Sequence, residues 1–167
     1  TYTPFGITGV STPMLAPFFA DVDTRGAGSG LVQYGQDTIG GRNVFGVNWI
    51  NVGYFGAHVD KLNSFQLIVT DRSDVAAGDF DFEFNYDQIQ WETGDASGGS
   101  GGLGGTSAAA GWTNGAGQYF EFTGSRVNGA FLNAGPNALI SGSRNSQTAG
   151  QYIFSVRNGQ VVNPVPE

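Results

Sequence analysis

The most regular stretch of the chain is Asp79–Trp91, DFDFEFNYDQIQW, in which polar and aromatic residues alternate. Because successive side chains of a strand point to opposite faces, this pattern predicts a strand with aromatic rings toward a core and carboxylates toward solvent. After Tyr86 the alternation changes phase, since the next apolar residues, Ile89 and Trp91, occupy odd-numbered positions. One extra residue near Asp87 returns them to the core, so the pattern also predicts a β-bulge there.

Similar short runs, separated by Gly, Asn, Asp and Pro, recur along the chain and predict further strands. The predicted strands cover residues 14–20, 30–34, 43–52, 64–70, 80–86, 108–113, 119–123, 137–141 and 152–156. A helical period is hard to find, and its best candidate, Asp60–Ser64, amounts to one turn. Asn114-Gly115 and Asn158-Gly159 are typical of tight hairpin turns. The sequence therefore predicts an all-β fold, an antiparallel β-sandwich with long Gly-rich loops and little helix.

Composition fits this picture and excludes several functions. The chain has 167 residues, 28 of them Gly, a net charge of -7, one lysine and no cysteine. Its length suits one domain, which we assign to residues 1–160, followed by a tail at 161–167. The scarcity of Lys and Arg argues against nucleic-acid binding, and the lack of Cys excludes disulfides, thiolate zinc sites and cysteine nucleophiles. No run approaches 18 apolar residues, so no transmembrane helix is predicted.

One segment is too poor in side chains to predict a fixed structure. Residues 92–107 read ETGDASGGSGGLGGTS, and such a composition gives little packing to offset the entropy of ordering the backbone. Strand signals on both sides are needed for one core, so we expect a mobile loop inside the domain and not a linker between domains.

The aspartates are candidates for binding calcium, which prefers hard oxygen ligands. The candidate ligands are Asp21, Asp23, Asp71, Asp79 and Asp81. None of them follows the spacing of an EF-hand loop. For Asp21 and Asp23 the alternative, which the sequence favours, is a turn that pairs with Arg25. Calcium is the only cofactor that the sequence suggests.

The DFDFE run also matches the D-x-D-x-E pattern of chitinase-type glycosidases, with Asp81 and Glu83 as the candidate carboxylates. Those enzymes carry the motif on a barrel strand of a chain roughly twice as long, and phenylalanines between the acids are what a half-buried strand needs. The single histidine, His58, and the absence of a G-x-S-x-G elbow leave no nucleophilic triad. We therefore predict no enzymatic activity and retain a small glycoside hydrolase as a remote alternative.

Aromatic residues supply a second alternative, a glycan-binding module. Sugar rings stack on exposed aromatic faces, and the candidates here are Trp49 and Tyr54. Trp91 ends an alternating core strand and Trp112 follows a run of small residues, so we assign both to the core.

Four segments of the chain carry a family resemblance: APFFADVDTRGAGSGLVQY at 16–34, FQLIVTDR at 65–72, FNYDQIQWETGDASGG at 84–99 and SAAAGWTNGAGQYFEFTGS at 107–125. Together they resemble the NIDO domain, the nidogen-like extracellular domain, in which APFWADVDT, FNYDDIQWTTG and A-x-x-G-[FW]-x-x-G segments recur in this order. The resemblance implies an extracellular module of matrix and adhesion proteins without known catalytic activity. It supplies no binding residues to transfer.

The two ends of the chain predict where the protein is located and how it associates with other chains. The tail VVNPVPE, residues 161–167, resembles the start of the V-P-E-P (PEP-CTERM) sorting motif, which implies a secreted or cell-surface protein of a Gram-negative bacterium. That family usually has one or two strands before the start of this chain, so we expect an open sheet edge that another strand can fill. We predict a non-enzymatic adhesive or structural module of the bacterial matrix, which forms homo-oligomers or fibres by strand pairing and contacts other matrix proteins or glycans.

Overall fold

Ten strands and one short 3-10 turn, Asp95–Ser97, are present in the computed structural model, which describes residues 2–162. The strands are β1 Met14–Phe19, β2 Val22–Asp23, β3 Val32–Ile39, β4 Arg42–Tyr54, β5 His58–Asp71, β6 Phe80–Gln88, β7 Ala109–Thr113, β8 Tyr119–Glu121, β9 Gln151–Arg157 and β10 Gln160–Val161. All pairings between these strands are antiparallel.

The strands form two sheets that pack into a sandwich-like fold. The smaller sheet has three strands in the order β1-β7-β8. The larger sheet has seven, in the order β10-β9-β6-β5-β4-β2, and β3 also pairs with β4. Strand β3 pairs with the first half of β4 and β2 with its last residues, so both flank the same side of β4. The predicted all-β sandwich is therefore confirmed.

An aromatic core joins the two sheets. The Phe82 and Phe154 rings stack with their centroids 4.9 Å apart, and Trp112 packs edge-on against Phe154 at 5.9 Å. Trp91 and Trp112 are 0% and 1% exposed, so their predicted places in the core are confirmed. Buried aromatic side chains of this size supply most of the apolar area that stabilises such a core.

The predicted bulge after Tyr86 is also present. Phe65 lies opposite Tyr86, but the preceding residue of β5, Ser64, lies opposite Gln88, so Asp87 is the extra residue. Ile89 and Trp91 consequently return to the core and are both 0% exposed.

Three local predictions are wrong. Residues 60–64 lie within β5 and not in a helical turn, and residues 137–141 form turns and not a strand, although Leu139 is buried. Five residues, 114–118, connect β7 to β8, so Asn114-Gly115 is not a two-residue hairpin turn. Asn158-Gly159 is one, with φ angles of 49° and 73° between β9 and β10.

The Gly-rich segment 92–107 is hydrogen-bonded to itself and to the strands beside it. The N–H groups of Glu92 and Thr93 both donate to the Gly102 carbonyl, at 2.8 and 3.0 Å, and Thr106 N–H donates to Ser97. The segment thus lies in a loop within the domain, as predicted, and these hydrogen bonds close it on itself. Val161, the first residue of the predicted tail, belongs to β10 and is 5% exposed. Residues 163–167 of the predicted sorting tail lie outside the described part.

Candidate interaction surface

The core-facing side of the seven-stranded sheet continues beyond the part that the three-stranded sheet covers. Residues directly opposite each other in paired strands share a face, and the register gives three cross-strand rows on this side. The rows are Val32–Trp49–Phe65–Tyr86, Tyr34–Val47–Leu67–Phe84–Tyr152 and Gln36–Phe45–Val69–Phe82–Phe154. Each row is buried at β6 and becomes progressively exposed toward β3.

The uncovered apolar residues of these rows form what we call the apolar strip: Val32, Tyr34, Phe45, Val47, Trp49, Leu67 and Val69. Tyr34 is 79% exposed, Val32 40% and Phe45 37%, and the remaining members are half-buried. The Tyr34 and Phe45 rings lie 6.2 Å apart. Contiguous apolar surface of this kind is typical of a site that binds another molecule.

Strand β3 carries the strip to a free edge of the sheet. Gly40 and Gly41 have φ angles of 60° and 80°, the values of a two-residue type I′ hairpin turn. In such a hairpin Ile39 and Arg42 exchange hydrogen bonds, so the even-numbered residues of β3 direct their N–H and C=O groups outward. The outward N–H of Thr38 accordingly bonds to the Asp37 side chain at 2.7 Å. Within residues 2–162, β3 pairs with β4 alone.

This edge lacks the usual protection against pairing with another chain. Natural edge strands are blunted by lysines, prolines, bulges or a covering element. All eight residues of β3 are exposed, they pair with β4 without a register shift, and Asp37 is the single charge among them. A free sheet edge is therefore present at residues 32–39, and the open edge expected at the chain start stays a prediction.

The opposite face of the same sheet is polar and internally bonded. A row of amides crosses five strands: Gln33, Asn48, Gln66, Asn85 and Gln151. Gln66 donates to Asn48 at 2.7 Å, and Asn85 donates to Gln66 at 2.9 Å. The row ends at Gln33 on β3, so the polar face, like the apolar strip, reaches the free edge of the sheet.

The carboxylates of the DFDFE run belong to this polar face. Asp81 makes ion pairs with Arg72 at 2.7 Å and with Arg157 at 2.8 Å. Burial opposes ionisation of Asp81, but the hydrogen bonds from Arg72, Ser155 and Arg157 outweigh it and lower its pKa. Glu83 accepts hydrogen bonds from Asn85 and Gln151. A glycosidase acid needs a raised pKa to hold its proton, so the arrangement at Asp81 does not suit that chemistry.

The calcium candidates are dispersed over several local structures. Asp23 is bound by Arg25 through two side-chain hydrogen bonds, at 2.8 and 2.6 Å, which confirms the turn pairing that the sequence favours. Asp71 caps the N–H of Ser73, and Asp79 accepts the N–H of Asn158. No group of three or more metal-ligating side chains occurs in the described part of the chain. Calcium binding at these aspartates stays a prediction.

Asp21 differs from the other four aspartates. It is 8% exposed, and its Oδ2 atom is buried without a hydrogen-bond partner. Burial, followed by the nearby negative charge of Asp23, raises the pKa of Asp21, while Arg25 partly opposes the shift. An unpartnered buried carboxylate oxygen is costly, which makes Asp21 a point of electrostatic strain beside the Asp23–Arg25 pair.

The two glycan candidates have different surroundings. Tyr54 is 1% exposed, and its ring lies between His58, at 4.7 Å, and Trp91, at 5.5 Å. Its hydroxyl donates to Asp60, so the ring offers no open face to a sugar. Trp49 stacks on Phe65 at 4.9 Å and is half-buried within the apolar strip. Glycan binding through Trp49 stays a prediction.

The interaction surface contains residues that sequence reasoning missed. Residues 35–39 of β3 were outside the predicted strands because Gly35 and Asp37 are typical of turns. The missed signal was Gly40-Gly41 between two alternating runs, a hairpin pattern.

Among residues 2–162, no helix is long and apolar enough to cross a membrane.

Comparison with known proteins places the chain in a family. The model of the nidogen-like domain matches residues 34–158. Mouse alpha-tectorin is 31% identical over 175 aligned positions, which cover 90% of this chain, and human alpha-tectorin is 34% identical over 127, which cover 72%. The matched regions span only 8% and 5% of those two relatives. No solved structure gave a significant match. The chain therefore belongs to the nidogen-like domain family, an extracellular module of matrix proteins.

Proposed function

We propose that this chain is a non-enzymatic structural or adhesive module of an extracellular matrix that assembles with further copies of itself by strand pairing at β3. The observation that carries this proposal is the unprotected edge at residues 32–39, which presents unpaired backbone groups and little charge. Main-chain hydrogen bonds at such an edge provide affinity for any added strand. The VVNPVPE tail supports a secreted or cell-surface location in a Gram-negative bacterium.

A second copy supplies a matching strand for this edge. Two antiparallel β3 strands centred on Gly35 place Tyr34 of each copy opposite Gln36 of the other, and Gln33 opposite Asp37. This register opposes no like charges, since Asp37 is the only charged residue of β3. It also places the Gln33 amide, which ends the row on the polar face, opposite the Asp37 carboxylate of the other copy, an acceptor for its N–H groups.

The pairing is tested by the mass of the protein in solution over a concentration series. Gln36→Pro removes one outward N–H without removing a β3–β4 hydrogen bond, because the even-numbered residues face the edge. We expect Gln36→Pro to lower the average mass and Gln36→Ala, its matched control, to leave it unchanged. A wild-type mass that stays at the 17.5 kDa of one chain at every concentration would contradict self-assembly.

A further inference from the structure

A cavity of about 310 Å³ lies between the two sheets at one end of the sandwich. Its lining comes from the first residues of β1 and β6, the ends of β7 and β9, and the β9–β10 hairpin. Six apolar side chains form much of the wall: Met14, Leu15, Phe80, Phe82, Val156 and Val161. The volume is at the lower limit of small-molecule sites, which span about 300–1,000 Å³.

Hydrogen bonds across this end of the sandwich fix the wall of the cavity. The Gln118 side chain, in the loop after β7, donates to the Val161 carbonyl at 2.9 Å and accepts the Val161 N–H at 2.7 Å. The Asn114 side chain donates to the Gly159 carbonyl at 3.5 Å. The three-stranded sheet is thus tied to the β9–β10 hairpin of the larger sheet, and the cavity is pre-formed, as small-molecule sites usually are.

Trp112, in the wall of this cavity, has a buried polar atom without a hydrogen-bond partner. The residue is 1% exposed, and its indole N–H has no acceptor among residues 2–162. The ring packs edge-on against Phe154 at 5.9 Å and Phe82 at 6.4 Å, but a ring face is a weak acceptor. The indole N–H of Trp91, by contrast, donates to the Val52 carbonyl at 3.0 Å. Native proteins leave very few buried donors unpaired, so this one requires an explanation.

A water molecule does not suit the Trp112 donor, because a buried water typically makes about three hydrogen bonds. The other polar side chains of the lining already bond elsewhere. Thr113 donates to the Val10 carbonyl, and the Asn114 side chain bonds to its own loop and to Gly159. The rest of the lining is apolar, and apolar cavities stay dry. A partner for Trp112 must therefore bring an apolar body together with an acceptor oxygen.

From these observations we infer that the cavity binds a small uncharged molecule with an alkyl body and one carbonyl oxygen, which accepts the hydrogen bond of the Trp112 indole N–H. Ketones and short esters have this chemistry. A carboxylate would also accept the bond, but no charged residue lines the cavity to offset the loss of its hydration. The inference goes beyond edge pairing and does not depend on it, because no residue of β3 lines the cavity.

Proton NMR of the whole chain tests the inference, because each of the three tryptophans gives its own indole N–H signal. The probe is 2-hexanone, and its matched control is 2-methyl-1-hexene, in which a CH2 group replaces the carbonyl oxygen. The Gln36→Pro background keeps edge pairing from broadening the spectra. We expect the ketone to move the Trp112 signal downfield and the alkene to leave it nearly in place. The Trp91 signal should stay in place with both, since its N–H is already bonded.

Met14, the single methionine, reports whether the cavity is filled. Its methyl signal should move with both compounds, because both place an alkyl chain against it. Trp112→Phe removes the donor and retains an aromatic ring. We expect this variant to weaken binding of 2-hexanone, relative to the alkene, by about three- to tenfold, the contribution of one hydrogen bond. Comparing the two compounds in both proteins cancels their different hydration.

Contrary results are distinguishable. If 2-hexanone moves neither the Met14 nor the Trp112 signal, the cavity is not a binding site and the inference is overturned. Movement of the Trp49 signal alone would place the ketone on the apolar strip, with the same consequence. An equal downfield shift with the alkene would overturn the hydrogen bond to Trp112, and tighter binding of hexanoate would overturn the choice of an uncharged ligand. The signals of Met14 and Trp112 decide these points even if Trp112→Phe does not fold.

Discussion

The carboxylate of Glu92 accepts a hydrogen bond from the backbone N–H of Phe131 at 2.6 Å, across 39 residues of sequence. A second bond, from the N–H of Gly129 at 2.5 Å, occupies its other oxygen. Glu92 is 1% exposed, and burial raises its pKa although these N–H groups favour the charged form. The long connection between β8 and β9 is thereby attached to the core at a position next to Trp91.

Removing this acceptor should destabilise the protein strongly. Glu92→Ala leaves the buried N–H of Phe131 and the half-buried N–H of Gly129 without this acceptor, and a buried group left so costs about 1–3 kcal/mol. We expect a loss of roughly 3 kcal/mol or more in the free energy of unfolding from urea titration. Glu92→Gln retains one carbonyl acceptor and should lose clearly less. Equal losses for the two variants would mean that shape, and not hydrogen bonding, determines the role of Glu92.

Asp21 should make stability depend on pH in the opposite direction from a salt-bridged carboxylate. Because burial and Asp23 raise its pKa in the folded state, the folded chain binds this proton more tightly than the unfolded chain does. The free energy of unfolding therefore falls as pH rises from the ordinary value toward the raised one. We expect Asp21→Asn to raise the melting temperature at neutral pH, and this gain to vanish at pH 3. A gain independent of pH would contradict the explanation.

Asp23 should show the reverse dependence. Hydrogen bonds from the Arg25 side chain, followed by backbone N–H groups of Arg25 and Ala57, outweigh burial and hold its pKa well below the ordinary value. This stabilisation is present above the unfolded pKa and is lost as pH falls toward the folded one. We expect Asp23→Asn to lower the melting temperature at pH 7 and to match the wild type more closely at pH 2.

Arg25 provides the control for that prediction. Its side chain is 69% exposed, so solvent screens much of its attraction for Asp23. Arg25→Ala should therefore destabilise the chain less than Asp23→Ala, which also removes the acceptor for Ala57 N–H. A larger loss for Arg25→Ala would mean that its packing over Phe55, at 5.4 Å, matters more than the ion pair.

Strands with one buried face, such as β6, could be predicted from the sequence, whereas β3, which is exposed on both faces, could not be predicted in full. The phase change at Asp87 was predictable because core residues on either side fix the register of β6. Strand β3 has no buried residue, so no hydrophobic alternation distinguishes Gly35 and Asp37 from a turn. The structural role of Glu92 could not be predicted either. Its hydrogen-bond donors are backbone N–H groups of a distant loop, and every residue except proline has such a group. The consecutive apolar residues 138–140 predicted a strand, but Leu139 is buried within a turn-rich loop.

Two glycines of β4 provide a matched test of how closely its neighbours approach. A Cβ atom at Gly53 would overlap the carbonyl oxygen of His58, next to the irregular pairing of Val52 and Tyr54. A Cβ atom at Gly46 would meet only the Leu67 carbonyl oxygen, at 4.0 Å. We expect Gly53→Ala to lower the melting temperature markedly, because backbone and not a flexible side chain must move. Gly46→Ala should be neutral or stabilising by about 0.5–1 kcal/mol, since it restricts the unfolded chain. Equal destabilisation by both substitutions would show that strand β4 tolerates no side chain at either glycine and that the close approach at His58 is not the cause.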